Sequence, residues 1–226
     1  GRKGPFGGDE IINLILMNRT CAPYIASRLW KFFVSDEIDV PLCISLGELL
    51  RESKYELRPV LRTLLSSRAF YAEGNIGSQI KSPVQLVIGT IRSLGVKPPE
   101  YQRLHGALEQ MGQVPLMPPN VKGWPGGRQW INTSTMFVRY NTALWLAGGE
   151  PIGGRKSKRR NQEGVDVDTR GTPEELVDAW AARLIQRPIL SERRKVLLDA
   201  VGKKPTEESV RTMVNLVLST PEFQLC

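Results

Sequence analysis

Apolar residues recur along this chain at intervals of three and four positions, the pattern of a helix that buries one face. One such stripe consists of Leu57, Val60, Leu61, Leu64 and Leu65, and a second of Val210, Met213, Val214, Val217 and Leu218. No segment sustains a strict alternation of apolar and polar residues. The pattern predicts an all-α fold with bundle-like or orthogonal packing of many helices, long irregular loops and little or no sheet.

Helix ends are marked by residues that cap free backbone groups. Three predicted starts carry a hydroxyl residue followed three positions later by Glu or Gln: Ser45 with Glu48, Ser82 with Gln85 and Thr172 with Glu175. Proline follows Ser82 and Thr172 at the first helical position. Gly95 is suited to close the second helix in a left-handed conformation. Further helices are predicted near residues 9–17, 23–34, 100–111, 133–147 and 191–201.

Two helix ends in the chain resemble each other. Residues 61–70 read LRTLLSSRAF and residues 214–223 read VNLVLSTPEF. In both, the helix ends in Leu, followed by two hydroxyl residues, two variable positions and Phe. We interpret the Phe as folding back onto the apolar stripe of its own helix. An old duplication, or the separate use of the same helix C-terminal motif at two places, explains this similarity equally well.

Two irregular stretches, residues 114–132 and 148–171, determine the predicted domain organisation. The second is rich in Gly and charge and holds few large apolar side chains, so burial offsets little of its ordering entropy. We therefore predict a helical body at residues 1–149 that includes the loop 114–132, a mobile basic linker at 150–171, and a C-terminal helical lobe at 172–226 packed on the body.

Composition suits one globular domain, or a domain with a small lobe. The chain has 226 residues, of which 41% are hydrophobic, and no apolar run approaches the roughly 18 residues that span a bilayer. The opening residues lack the apolar core of a signal peptide, and the first residue is Gly, so we expect the chain to be part of a longer one.

The formal net charge of +8 is concentrated in one place. The run Arg155-Lys156-Ser157-Lys158-Arg159-Arg160 holds five basic residues. Such a run is compatible with binding a polyanion or nucleic acid. No aromatic residue lies between Gly148 and Gly171 to stack on bases, so a solvated loop is favoured over nucleic-acid binding.

Few residues are suited to metal binding or catalysis. The three cysteines, Cys21, Cys43 and Cys226, form no Cys-x-x-Cys pair, and His105 is the single histidine. A structural zinc site needs four ligands, so no metal and no cofactor are predicted. A disulfide between Cys21 and Cys43 is a remaining alternative if the protein is exported. No nucleophile elbow is present, and we assign no catalytic residue.

The segment 118–132 reads PPNVKGWPGGRQWIN and has the most unusual composition in the chain. Its glycines allow positive φ angles, and its prolines hold the remaining turns rigid. It is therefore predicted to be a stiff loop that carries Trp124 and Trp130. The indoles either form a stacking platform for a sugar ring or another flat ligand, or anchor the loop in the helical body.

This loop, together with Arg139-Tyr140-Asn141 on the following helix, resembles the signature of the bacterial Domain of Unknown Function 1800 family. Further matches are GDEII at 8–12, IASRLWKFF at 25–33, SRAFY at 67–71, IKSPV at 80–84 and LSTPEFQ at 218–224. The resemblance covers nearly the whole chain except residues 155–160, which look like an insertion. It implies that the chain is the C-terminal half of a larger, exported protein whose gene neighbours that of another uncharacterised family. It implies no activity.

The predicted function is a non-catalytic binding or assembly module of a larger exported bacterial protein. Its partner would be the protein encoded by a neighbouring gene or a cell-envelope glycan. The predicted ligand-binding residues are Asn120, Lys122, Gly123, Trp124, Gly126, Gly127, Arg128, Trp130, Asn132 and Arg139. One alternative is half of a hydrolase-like envelope enzyme with its catalytic groups in the N-terminal part. Another is polyanion binding through 155–160.

Overall fold

The computed structural model describes residues 3–98, 101–149 and 164–226. These residues form ten α-helices and no strand; an isolated antiparallel bridge joins Ile80 and Leu225. The α-helices are α1 (Gly8–Leu16), α2 (Cys21–Phe33), α3 (Val40–Glu52), α4 (Leu57–Leu65), α5 (Pro83–Leu94), α6 (Tyr101–Gln110), α7 (Thr133–Leu146), α8 (Pro173–Leu184), α9 (Ser191–Val201) and α10 (Glu207–Leu218), with short 3₁₀ helices at Gly127–Trp130 and Pro221–Gln224. The predicted all-α class is confirmed. Within this described part, no helix is long and apolar enough to cross a bilayer.

Backbone contacts divide the chain into two compact units, residues 1–79 and residues 80–226. The first contains α1–α4 and the second α5–α10. The sequence pattern predicts limits at residues 149 and 172 instead, and that division stays a prediction.

The first unit is built around the close packing of α2 and α3. Ala22 and Ala26 of α2 are completely buried and leave room for the neighbouring helix. Gly47 of α3 lies against the backbone of Ala22 and Pro23, and a Cβ there would lie 2.7 Å from the backbone nitrogen of Pro23. Small residues on both helices thus permit an approach that a larger side chain would block. The core is completed by Trp30, Val34, Cys43, Leu46, Leu50, Val60 and Leu64.

The start of α3 differs from the prediction. The helix begins at Val40, and the carboxylate of Asp39 accepts a hydrogen bond from the Leu42 backbone N–H at 3.0 Å. Ser45 lies inside the helix, where its hydroxyl donates to the Pro41 carbonyl at 3.3 Å. The predicted start at Ser45 is therefore wrong, because Asp39 caps the helix one and a half turns earlier.

The second unit buries the apolar stripes of α5, α8 and α10 in one core. Val210, Met213, Val214, Val217 and Leu218 of α10 are all inaccessible to solvent. Leu86, Val87, Ile91 and Leu94 of α5, with Leu176, Val177, Trp180 and Leu184 of α8, belong to the same cluster. The periodicity thus identified the buried faces of these helices.

Two predicted capping boxes of this unit are confirmed. Ser82 accepts a hydrogen bond from the Gln85 backbone and donates its own backbone N–H to the Gln85 side chain at 2.8 Å. Thr172 and Glu175 do the same at the start of α8. Gly95 closes α5 with a φ of 68°, as its position predicts.

The end of the predicted linker belongs to this core. Val165 and Val167 are buried among the residues of the second unit, and the Val165 N–H donates to the Ala147 carbonyl at 3.2 Å. The structure thus differs from the predicted mobile linker at residues 164–171, where two buried valines alternate with aspartates. The basic run 155–160 lies outside the described residues.

The two similar helix ends have the same hydrogen bonds. The Ser67 hydroxyl donates to the Leu64 carbonyl at 2.7 Å and accepts from the Phe70 N–H at 3.2 Å. The Thr220 hydroxyl donates to the Val217 carbonyl at 2.7 Å, and accepts from the Phe223 N–H at 3.3 Å. Each aromatic packs against the core of its own unit. That it lies on the apolar stripe of its own helix stays a prediction.

Candidate functional site

The loop between α6 and α7, residues 111–132, is shaped by backbone turns that its sequence permits. Gly112, Gly123, Gly126 and Gly127 all adopt positive φ angles, between 54° and 85°. The Asn120 side chain accepts a hydrogen bond from the Lys122 N–H at 2.9 Å, closing a local turn. The glycines thus serve the geometry of the backbone.

The base of the loop, residues 125–132, is fixed in the second unit. Trp130 is only 5% exposed, and its carbonyl accepts a hydrogen bond from the Thr135 hydroxyl at 2.9 Å. The Asn132 side chain caps α7 by accepting from the Thr135 N–H, and Thr135 accepts from the Asn132 N–H, both at 2.9 Å. Trp130 and Asn132 therefore anchor the loop and start the next helix.

The tip of the loop, residues 116–124, exposes apolar side chains. Leu116 is 95% exposed, Met117 68% and Val121 fully exposed at 106%. Leu116 also has a φ of 66°, in the left-handed region that a leucine rarely adopts. No sequence pattern marks these three residues, because an apolar residue in a loop carries no periodic signal.

The polar and aromatic candidates of the loop are less uniform. Lys122 and Arg128 are exposed, whereas Trp124 is half-buried. Within the loop, Lys122 and Arg128 thus face solvent, Trp124 is partly covered and Trp130 is buried. That any of these residues contacts a ligand stays a prediction.

Arg139 lies apart from this exposed surface. Its side chain is completely buried in α7. Nε donates to the Gln224 side-chain oxygen at 2.8 Å, and one terminal nitrogen, Nη2, donates to the Lys81 carbonyl at 2.7 Å. Burial lowers the pKa of Arg139 to about 10, and Tyr140 opposes this shift. Arg139 thus joins α7 to the segment before α5 and to the C-terminal 3₁₀ helix.

A second cation lies beside this group. The half-buried Lys81 donates through Nζ to the Phe223 carbonyl at 2.7 Å, and Nζ sits 4.3 Å from the centre of the Phe223 ring. Burial lowers the pKa of Lys81, the Cys226 thiol opposes that shift, and the Arg139 and Arg187 guanidinium groups add to it. Neither Lys81 nor Gln224 belongs to the predicted ligand-binding residues.

A shallow groove of about 350 Å³ lies between α6 and α7. Its walls include Gly106, Phe137 and Trp145, with the Arg103 guanidinium 4.5 Å from the centre of the Trp145 ring. His105 lies on α6, with its ring centre 5.8 Å from that of Tyr101. In the three described ranges, no three His, Cys, Asp or Glu residues are grouped to hold a metal ion.

The fold and the loop define an all-helical protein with a glycine- and proline-shaped surface loop anchored by a buried tryptophan. The family model described as "Protein of unknown function (DUF1800)" matches residues 1–225, and the chain belongs to that family. No curated protein and no solved structure matches this chain.

Proposed function

We propose that the chain is a binding or assembly module of an exported bacterial protein, and that the loop tip contacts a protein partner. The observation that carries the proposal is the exposure of Leu116, Met117 and Val121, from 68% to 106%. A single exposed apolar residue is ordinary on a protein surface. Three within six positions, on a loop held at its base, are typical of an interaction surface.

Backbone strain at the same place supports the proposal. Leu116 has a φ of 66°, where Gly or Asn would be accommodated at lower cost. A residue other than glycine keeps this backbone conformation only when the surrounding structure imposes it. Residues strained in this way cluster at binding sites. The strain is thus consistent with selection for the exposed leucine side chain.

The tip is also prepared for binding before a partner arrives. Trp130, the Asn132 cap and the turn at Asn120 hold the backbone, so little of its conformational entropy remains to be lost on association. Lys122 and Arg128 are exposed in the same loop. The fitting partner surface has an apolar centre and an acidic rim.

A protein fits these features better than a glycan does. Sugar rings stack on exposed flat aromatic faces. Trp130 is 5% exposed and Trp124 is half-buried, so the loop offers little aromatic area for a sugar. Aliphatic side chains such as Leu116 and Val121 instead match an apolar protein surface.

Site-specific photo-crosslinking tests the proposal. A photoreactive amino acid is placed at Val121 in the full-length protein, produced in its own bacterium, and at Leu190 as a control, which is 63% exposed in the same unit. We expect one protein to be captured from Val121 and not from Leu190. With that protein purified, Leu116→Ser and Val121→Ser are each expected to weaken binding by about tenfold.

Two results would contradict the proposal. Equal capture from both positions, or none from either, would mean that the tip has no specific protein partner. Binding to envelope glycans that Trp124→Ala abolishes and Val121→Ser leaves intact would assign the loop to a sugar. Export rests on the resemblance to the family, and fractionation of cells producing the full-length protein checks it.

A further inference from the structure

Among the buried nitrogen donors of the second unit that have no acceptor, two belong to side chains that are bonded to each other. Nη1 of Arg139 and Nε2 of Gln224 are both inaccessible to solvent and make no hydrogen bond. The residues themselves are 0% and 4% exposed, and their side chains are bonded to each other at 2.8 Å. Unsatisfied buried donors cost free energy, and native proteins rarely leave two side by side.

Rotating the Gln224 amide does not remove the problem. Its oxygen accepts from Arg139 Nε, and an exchange of oxygen and nitrogen would set two donors against each other. The orientation of the amide is therefore fixed by the guanidinium, which has no acceptor of its own. Nε2 of Gln224 consequently requires an acceptor from elsewhere.

The surrounding charge is positive. Arg139 and Lys81 are linked through the Lys81 carbonyl, and Arg187 is near enough to affect Lys81. Among the described residues no carboxylate accepts a hydrogen bond from Arg139 or Lys81. Glu222, two positions before Gln224, is paired with Arg193 through Oε1, and its buried Oε2 makes no hydrogen bond. A buried guanidinium is normally compensated by an anion.

We propose that Arg139, Gln224 and Lys81 form a binding site for a small anion with oxygen acceptors, of the phosphate or carboxylate class. Such an anion would accept from Arg139 Nη1 and Gln224 Nε2 and would compensate the two cations. Lys81 and Leu225 are half-buried and Cys226 is exposed; because both donors are inaccessible to solvent, the anion would reach them only with a local displacement of these neighbouring residues. A bridging water would satisfy the donors but would leave the charge uncompensated.

Thermal unfolding of the full chain tests the proposal, with inorganic phosphate as the probe and sodium chloride holding ionic strength constant. A ligand that binds only the folded state raises Tm with the logarithm of its concentration. We expect a rise of about 5–10 °C at a hundredfold excess over Kd. Sodium acetate in place of phosphate separates the carboxylate class from the phosphate class.

Gln224→Glu is the decisive variant, because it supplies a carboxylate to Arg139 within the chain and repels an incoming anion. We expect a higher Tm in chloride alone and no response to phosphate or acetate. Gln102→Glu, on the exposed face of α6, changes the net charge equally and is expected to keep the full response. If Gln224→Glu does not fold, Lys81→Met is expected to fold and to respond more weakly than the parent.

The proposal is overturned if the Tm of the parent chain is independent of phosphate and of acetate. It is equally overturned if Gln224→Glu, or Lys81→Met in its place, responds as strongly as the parent. The anions would then act on the whole surface through general salt effects and not at this cluster.

Discussion

The base and the tip of the α6–α7 loop have similar compositions and opposite environments. The base buries Trp130 to 5% exposure, while the tip exposes Val121 completely. Both regions contain glycines with positive φ angles. The contrast indicates that the same kind of residues can either hold a loop or be displayed by it, and that only the tertiary contacts distinguish the two.

The hydrogen bonds explain the difference. The base is bonded to α7 through Thr135, and α7 in turn carries the buried Arg139. The tip has hydrogen bonds between residues close in sequence, such as that from the Met117 N–H to the Val114 carbonyl at 3.1 Å. Substitutions at the base should therefore affect stability, and substitutions at the tip should affect binding.

The largest expected effect is that of Trp130→Ala. Removal of a buried tryptophan costs about 3–5 kcal/mol. At about 2–4 °C per kcal/mol for a domain of this size, Tm should fall by more than about 6 °C. Trp124→Ala is the matched control, and we expect a smaller fall because that indole is half-buried. Equal losses at both positions, measured by thermal melting, would remove the distinction between base and tip.

Arg139→Met should have the next largest effect. We expect it to lower the free energy of unfolding somewhat less than Trp130→Ala does. The Lys81 carbonyl and the Gln224 oxygen would each lose their donor, at about 1–3 kcal/mol for each group left unsatisfied. The loss is reduced because the folded state no longer holds a buried charge, whose cost is evident in the lowered pKa. Denaturant unfolding measures the change; Arg128→Met, at an exposed position, serves as control and should be neutral.

Much of the fold follows from local sequence. The apolar stripe of α10 identified a buried face, and the Ser82–Gln85 pair identified a helix start, because both signals act within one or two turns. The Ser45–Glu48 pair misled because an upstream cap, Asp39 followed by Pro41, competes for the same helix. Local patterns thus indicate where a helix lies better than where it begins.

The candidate site was less accessible to sequence reasoning. The partners of Arg139 lie 58 and 85 positions away along the chain, and one of them is a backbone carbonyl that no side-chain pattern reports. Burial of Trp130 but not of Val121 likewise depends on which side of the loop meets the core. The loop itself could be predicted from its Pro, Gly and Trp content, whereas its division into base and tip could not.

A smaller effect is expected from Asn132→Ala. The substitution removes the N-cap of α7, which typically contributes about 0.5–2 kcal/mol. Asn120→Ala is the matched control, because that side chain bonds a single exposed N–H in the tip. We expect the control to change the free energy of unfolding by less than about 0.5 kcal/mol. A larger loss for Asn120 than for Asn132 would mean that the tip, and not the base, holds the loop.

The smallest effect on stability is expected from Val121→Ser. The side chain is fully exposed and buries no area in this chain, so the free energy of unfolding should change by less than about 0.5 kcal/mol. The same substitution removes an apolar contact from the proposed interface, and the affinity for the captured protein should fall by about tenfold. Denaturant unfolding and a binding titration on one preparation measure the two quantities together. Unchanged affinity with unchanged stability would leave Val121 without a role, whereas a clear loss of stability would mean that the tip is packed against the protein and belongs with the base.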